Sequence, residues 1–316
     1  MIVAADLSGI ALIKELGKLR QLRKLAITRL TAEATTALFA CIEEMNHLES
    51  LSLSFKNDGG MLNLETISSP PPHLERLVLK CRLQVLPDWI SGLQNLSMLC
   101  LSLSSLTDDP LRHVGVLPNL VSLWLYRAYE GTQLHFEVGG FRKLKLLVLR
   151  DMQGLELVEI EEGALPLLEE LRIGPSPLLD EVPSGLQHLR SLKVLAFYDM
   201  PNELVHKMQP NGGSDYVKVE HVPSVLFWYR ISGRSYASYE LGEQDLLDRL
   251  QGLDTNMNDV TRHVLQSFSF SDDIEADSAS ASTSAVPPSD ERLSFSGNRI
   301  SFGSDWLSDF SDDIED

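Results

Sequence analysis

The sequence predicts an α/β solenoid, with one parallel sheet on its concave side, one strand per repeat, and an irregular convex side. The first observation is a phrase, Leu-x-x-Leu-x-Leu, that recurs eight times between Leu22 and Phe197. Its middle residues are Leu25, Leu51, Leu77, Leu99, Leu123, Leu147, Leu171 and Leu195, spaced by 22 to 26 residues. The second is that the stretches between copies carry prolines such as Pro87 and Pro183, which interrupt helical hydrogen bonding and favour 3₁₀-like turns. A period in the twenties with this phrase marks a leucine-rich repeat horseshoe.

Within each copy, x-Leu-x-Leu-x reads as a short strand whose leucines face inward and whose flanking residues face outward. The leucine three residues upstream turns the chain into the strand and fills the same core. One repeat cannot bury its own apolar side, so neighbouring copies must stack. The first interval, Leu30 to Met45, is longer and rich in Ala, Thr and Glu. Leu38, Phe39 and Ile42 there have the spacing of an amphipathic helix on the convex face.

Residues 1–210 are assigned to the solenoid, with about eight full repeats and a partial first rung. Ile10, Ile13, Leu16 and Leu19 look like the trailing half of an earlier repeat. A solenoid normally needs a polar cap at each end, and none is evident at the start, which suggests lost upstream sequence. Residues 211–239 are expected to form the C-terminal cap. A short helix is expected over Pro201–Met208, a turn at Gly212–Asp215, and a strand at Tyr216–Glu220 where apolar residues alternate. A further imperfect strand is expected within His221–Tyr229. Residues 240–267 have roughly helical apolar spacing, weakened by Gly242 and Gly252. Residues 268–316 turn to Ser, Asp and Ala and hold twelve acidic residues against two arginines. This acidic tail is expected to be disordered, since little apolar surface offsets its ordering entropy. Phe270–Glu275 recurs letter for letter at Phe310–Glu315, as a docking motif or as a local duplication in a low-complexity tail.

Composition narrows the function classes. The formal charge of −18 argues against a general nucleic-acid binder, because a polyanion would be repelled. No stretch approaches the length of about eighteen apolar residues that spans a bilayer, and the start lacks the basic and apolar regions of a signal peptide. The three cysteines, Cys41, Cys81 and Cys100, have neither a disulfide-cap pattern nor a metal-ligand spacing. A cytoplasmic compartment follows as the expectation. No cofactor or metal is expected, and no nucleophile is assembled with a base and its orienter, so the chain reads as a non-enzyme.

If the register holds, the outward strand residues line the concave face. Arg76, Lys80, Trp124, Tyr126, Arg150, Arg172 and Tyr198 are then the candidate protein-binding residues, because aromatics beside arginines are the composition of interaction hot spots. The bland alternative is that Trp124 simply packs along the ridge of adjacent side chains.

Four stretches carry a family resemblance. They are Ile13–Leu25, Leu86-Pro87-Asp88-Trp89-Ile90 with Leu93 and Leu96, Ser105–Leu111 with Leu117-Pro118-Asn119-Leu120, and the ending Asp215–Val225. In this order they resemble the C-terminal repeat region of plant intracellular nucleotide-binding, leucine-rich repeat disease-resistance receptors of the coiled-coil class. The resemblance covers about residues 10–230. It implies a recognition and autoinhibitory module that senses a pathogen effector or a guarded host protein and restrains a nucleotide-binding switch domain. The sequence departs from those receptors in one respect. No Gly-x-x-x-x-Gly-Lys-Ser/Thr loop to cradle phosphates occurs in the 316 residues, so nucleotide binding is not carried over and a truncated receptor is expected. The alternative is a stand-alone scaffold or adaptor whose acidic tail regulates a partner.

Overall fold

A strand that buries two leucines on one side leaves its backbone edges unpaired, and the next copy of the phrase supplies the missing partner. The computed structural model describes residues 2–6, 13, 15–55, 61–232 and 235–252. All belong to the first of two compact units, Met1–His263 and Val264–Asp316. Nine strands follow from the repeats and their flanks: β1 (Ile2–Asp6), β2 (Lys24–Leu30), β3 (Ser50–Phe55), β5 (Arg76–Lys80), β7 (Met98–Ser102), β8 (Ser122–Tyr126), β10 (Leu146–Arg150), β12 (Glu170–Ile173) and β13 (Val194–Tyr198). With β14 (Ser224–Ser232) and β15 (Ser235–Glu240) they form one eleven-stranded sheet in chain order. Every neighbouring pair is parallel except β14 and β15, which close the sheet as an antiparallel hairpin.

The register follows the leucine ruler: Leu25 faces Leu51, then Leu77, Leu99, Leu123, Leu147, Leu171 and Leu195. These eight leucines, and the eight upstream ones from Leu22 to Leu192, are each at most 2% exposed. The core is therefore continuous from rung to rung. A left-handed residue stands near the end of β2, at Arg29, and directly after β7, β8, β10 and β13, at Leu103, Arg127, Asp151 and Asp199. The residue that follows each of the last four turns inward, and Ser104, Ala128, Met152 and Met200 are buried.

The convex side is irregular. It holds one longer helix, α1 (Ala32–Glu43), which buries Leu38, Phe39 and Ile42. Elsewhere it makes 3₁₀ turns at Leu64–Thr66, Asp88–Gly92 and Leu186–His188, and a single helical turn α2 (Leu111–Val114). The Asp88–Gly92 turn starts directly after Pro87 and sends Ile90 inward, while Trp89 Nε1 donates to the Leu64 carbonyl of the preceding rung at 3.0 Å. Two small parallel ladders, β4 (Met61–Leu62) with β6 (Arg82–Leu83) and β9 (Gln133–Phe136) with β11 (Leu157–Ile160), tie adjacent convex loops.

Two expectations need correction. The segment before β2 is more than a trailing half-repeat, because β1 adds a concave strand with Val3 opposite Leu25 and Ala5 opposite Ile27. With valine and alanine at the leucine positions, the phrase is invisible in sequence. The alternating stretch Tyr216–Glu220 is a turn of helix, α4 (Tyr216–Val219), and not a strand. Val217 is 64% exposed whereas Val219 and Val222 are buried, so the apolar positions that matter are spaced by three. Ahead of it lies α3 (Asn202–Lys207), and after β15 comes α5 (Gln244–Leu250), which packs Leu246 and Leu250 into the core. Arg249 of α5 stacks its guanidinium 4.0 Å from the Tyr229 ring centre, pinning the closing hairpin. The remainder of the helix expected at 240–267, and the acidic tail at 268–316, lie outside the described residues.

Leu123→Ala, at a position with no solvent exposure, should cost roughly 2–5 kcal/mol in urea denaturation. Val138→Ala, at a side chain 65% exposed, should stay within about 0.5 kcal/mol of wild type. Equal effects would contradict the register.

Candidate functional site

Three outward positions on each strand make three columns across the concave face. The middle column is largely closed. Cys100 and Val148 point outward yet are only 1% and 2% exposed, and in register they flank the large indole of Trp124. Trp124 is half-buried, and its Nε1 donates to Ser122 Oγ on the same strand at 2.8 Å. Burial pushes the Cys100 thiol up to about 12, and Cys81 likewise. Neither is a thiolate near neutral pH: Cys81 packs in the core, and Cys100 lies closed in beside Trp124 on the concave face. Two rungs on, Arg172 is tied to Glu170 at 2.6 Å.

The column at the C-terminal ends of the strands is the richest. It runs Lys80, Ser102, Tyr126, Arg150, Gly174, Tyr198 and Trp228. Gly174 leaves that rung without a side chain, and the Arg150 guanidinium reaches across it to lie 4.0 Å from the Tyr198 ring centre. Tyr198 stacks nearly parallel on Trp228, with centroids 5.9 Å apart, and meets Tyr236 of β15 edge-on at the same distance. Arg230 donates to Tyr236 Oη at 3.0 Å. Beside them Arg127 pairs with Asp151. Burial raises the Tyr126 hydroxyl above the usual tyrosine range, opposed by the nearby Arg127 and Arg150.

The opposite rim, where the strands begin, is a charge ladder. Glu169 accepts from Lys145 at 2.8 Å and Lys193 at 2.6 Å, on the rungs either side, and both hydrogen bonds hold its carboxyl below the usual glutamate range. Arg23 pairs with Glu49 in the same fashion. A polar cavity of about 280 Å³ lies there, lined by Gln21, Arg23, His47, Glu49 and His73. Among the described residues no group of three or more His, Cys, Asp or Glu could hold a metal ion.

The seven residues singled out in the sequence therefore do not form one site. Lys80, Tyr126, Arg150 and Tyr198 share the C-terminal column, Trp124 and Arg172 lie in the middle one, and Arg76 lies in the column where the strands begin. Arg76 and Lys80 are both on β5, two strands before Trp124 in the sheet. One expectation is corrected: Tyr198 is not an exposed aromatic but only 9% exposed, being covered by Arg150 and Trp228. Three members were missed. Trp228 could have been found by extending the ruler to Val225 and Phe227, both buried like the leucines. Arg230 and Tyr236 depend on the hairpin, which no repeat phrase announces.

The family model described as a leucine-rich repeat region matches residues 2–209. The chain belongs to this family. Among curated relatives, the Arabidopsis thaliana disease resistance protein RPM1 is 31% identical over 225 residues, covering 71% of this chain and 24% of its own length. Disease resistance protein RPP8 of the same plant is 31% identical over 218 residues, 68% of this chain and 24% of RPP8. The putative disease resistance protein At1g59780, also from Arabidopsis thaliana, is 33% identical over 232 residues, 67% of this chain and 25% of the relative. The chain thus spans about a quarter of the length of these relatives. Among the described residues no helix is long and apolar enough to cross a membrane.

Two measurements probe the frame of the site. A Cβ on Gly174, at φ +100, would meet the Tyr198 carbonyl oxygen at 2.2 Å, so Gly174→Ala should destabilise by roughly 1–3 kcal/mol. Gly92→Ala, with nothing within 4 Å, should be nearly neutral in the same thermal melt. The Lys145 and Lys193 hydrogen bonds hold the folded-state pKa of Glu169 below the ordinary glutamate value of 4.5, so its contribution is present above about that pH. It is lost as pH falls through the depressed value. Glu169→Gln should therefore flatten the acid limb of stability below about pH 4.5, modestly because the site is solvent-screened. An unchanged acid limb would remove the clamp from the account.

Proposed function

We propose that this chain is a protein-recognition module of the plant disease-resistance type, acting in the cytoplasm, and that its concave face is the contact surface. The observation that carries this reading is the Tyr126–Arg150–Tyr198–Trp228 column, aromatic and cationic side chains brought together by four strands. Such groups dominate the energetics of protein interfaces. The relatives' printed names supply the defence context.

The ligand of the face is a pathogen-derived protein, a host protein altered by one, or a nucleotide-binding switch domain that the repeats restrain. Arg76, Lys80, Trp124 and Arg172 extend the contact along the same face towards and across its middle. No cofactor takes part. The adaptor alternative, in which the acidic tail regulates a partner, depends on residues outside the described ones, and no observation here favours it.

The test compares wild-type chain with Trp124→Ala/Arg150→Glu as bait in leaf extract, alongside thermal melts of both. Proteins retained by wild type should be lost from the double variant, with the melting temperature preserved to within a few degrees. Retention of the same proteins by both baits would exclude this face as the contact.

A further inference from the structure

We infer that the C-terminal third of the concave sheet binds an acidic segment of its protein partner, with Arg150 seating a carboxylate above the Tyr198–Trp228 stack. This rests on the recognition reading above and adds the chemistry of the ligand.

Charge segregation comes first. The chain as a whole carries −18. Yet the outward positions from Lys24 to Tyr198 hold Lys24, Arg76, Lys80, Arg150 and Arg172 against Glu170 alone. The concave sheet is a cationic track on an acidic protein, which attracts and orients an acidic surface.

Among the arginines gathered at the C-terminal third of the sheet Arg150 stands apart, since Arg230 is engaged by Tyr236. Arg172 is satisfied by Glu170 and Arg127 by Asp151, whereas Arg150 has no carboxylate within ion-pair distance among the described residues. Its Nε is buried and so out of a ligand's reach, which leaves the terminal Nη1–Nη2 edge to meet an incoming carboxylate. Its plane is meanwhile fixed by the Tyr198 ring, 4.0 Å away. An arginine laid flat on an aromatic ring and lacking an in-plane partner is pre-organised for a bidentate carboxylate. Side chains next to that carboxylate in the ligand would meet the aromatic surface of Tyr126 and Trp228, which are both half-buried.

The same surroundings select against a dense polyanion. Asp151 and Asp199 flank the column, and the net charge of −18 opposes a nucleic-acid backbone. One or two carboxylates on an apolar segment fit this field better than a row of phosphates.

The full chain is titrated in fluorescence anisotropy with a short fluorescein-labelled peptide of repeated Asp-Phe-Gly. Two comparison probes are its Lys-Phe-Gly counterpart and a labelled single-stranded DNA of similar length. The acidic peptide should bind at least about tenfold more tightly than either comparison probe. Arg150→Met, which keeps much of the packing and removes the charge, should weaken it by about tenfold. Arg150→Lys should recover only part of that loss, because a lysine lacks the planar fork. Arg142→Met, at an exposed loop residue, should change nothing. A melt of each variant checks folding, and if Arg150→Met melts early the lysine variant carries the comparison. Binding indifferent to Arg150, or tighter for the Lys peptide or the DNA, overturns the proposal. If that happens while Trp124→Ala/Arg150→Glu still loses its captured proteins, the acidic preference falls and the recognition reading stands.

Discussion

In-register stacking of inward leucines is the constraint on which everything else in this molecule depends. A single rung exposes both backbone edges and one side of its leucine triplet, and neither defect can be repaired locally. Placing Leu99 beside Leu123 and Leu123 beside Leu147 pairs the backbones and buries the side chains in one step. Each fully buried leucine contributes about 1.5–3 kcal/mol. A slip of one residue would turn the leucines of that strand to solvent. The spacing of the ruler tolerates variation because loops of different length absorb it on the convex side, through α1 in one interval and a 3₁₀ turn in another.

The same register fixes the concave surface. Residues two apart on a strand share a face, and identical positions on successive strands form columns, so a surface site is written across the sequence at the repeat period. Arg150 and Tyr198 are 48 positions apart, which is two rungs. They meet because the intervening rung presents Gly174. A side chain there would have occupied the gap, and its Cβ would already have collided with the Tyr198 carbonyl. One glycine thus serves both the exit of β12 and the arginine–tyrosine contact.

Much of the architecture was legible in the sequence because a repeat phrase averages over many weak local signals. The eight strand phrases between Leu22 and Phe197 could be placed residue by residue. Legibility failed where the averaging stopped. Strand β1 replaces the leucines with Val3 and Ala5, and α4 hides a three-residue spacing inside an apparent alternation at Val217 and Val219. The candidate site was legible in its columns but not in its contacts. Sequence named Trp124, Tyr126, Arg150 and Tyr198 as outward positions. It could not say that Tyr198 lies beneath Arg150, that Arg172 is held by Glu170, or that the closing hairpin brings Tyr236 onto the face. Those facts come from side-chain packing between rungs and from an antiparallel turn that lies outside the repeat.

The central claim is that recognition concentrates where the C-terminal strand ends gather aromatic and cationic side chains. Residue-resolved hydrogen–deuterium exchange of the full chain, with and without the saturating Asp-Phe-Gly peptide, tests it most directly. The account predicts added protection in β8, β10, β13 and the β14–β15 hairpin, with the convex segments 83–95 and 176–190 unchanged. Protection confined to those convex segments, or none on the concave strands at saturation, would contradict it.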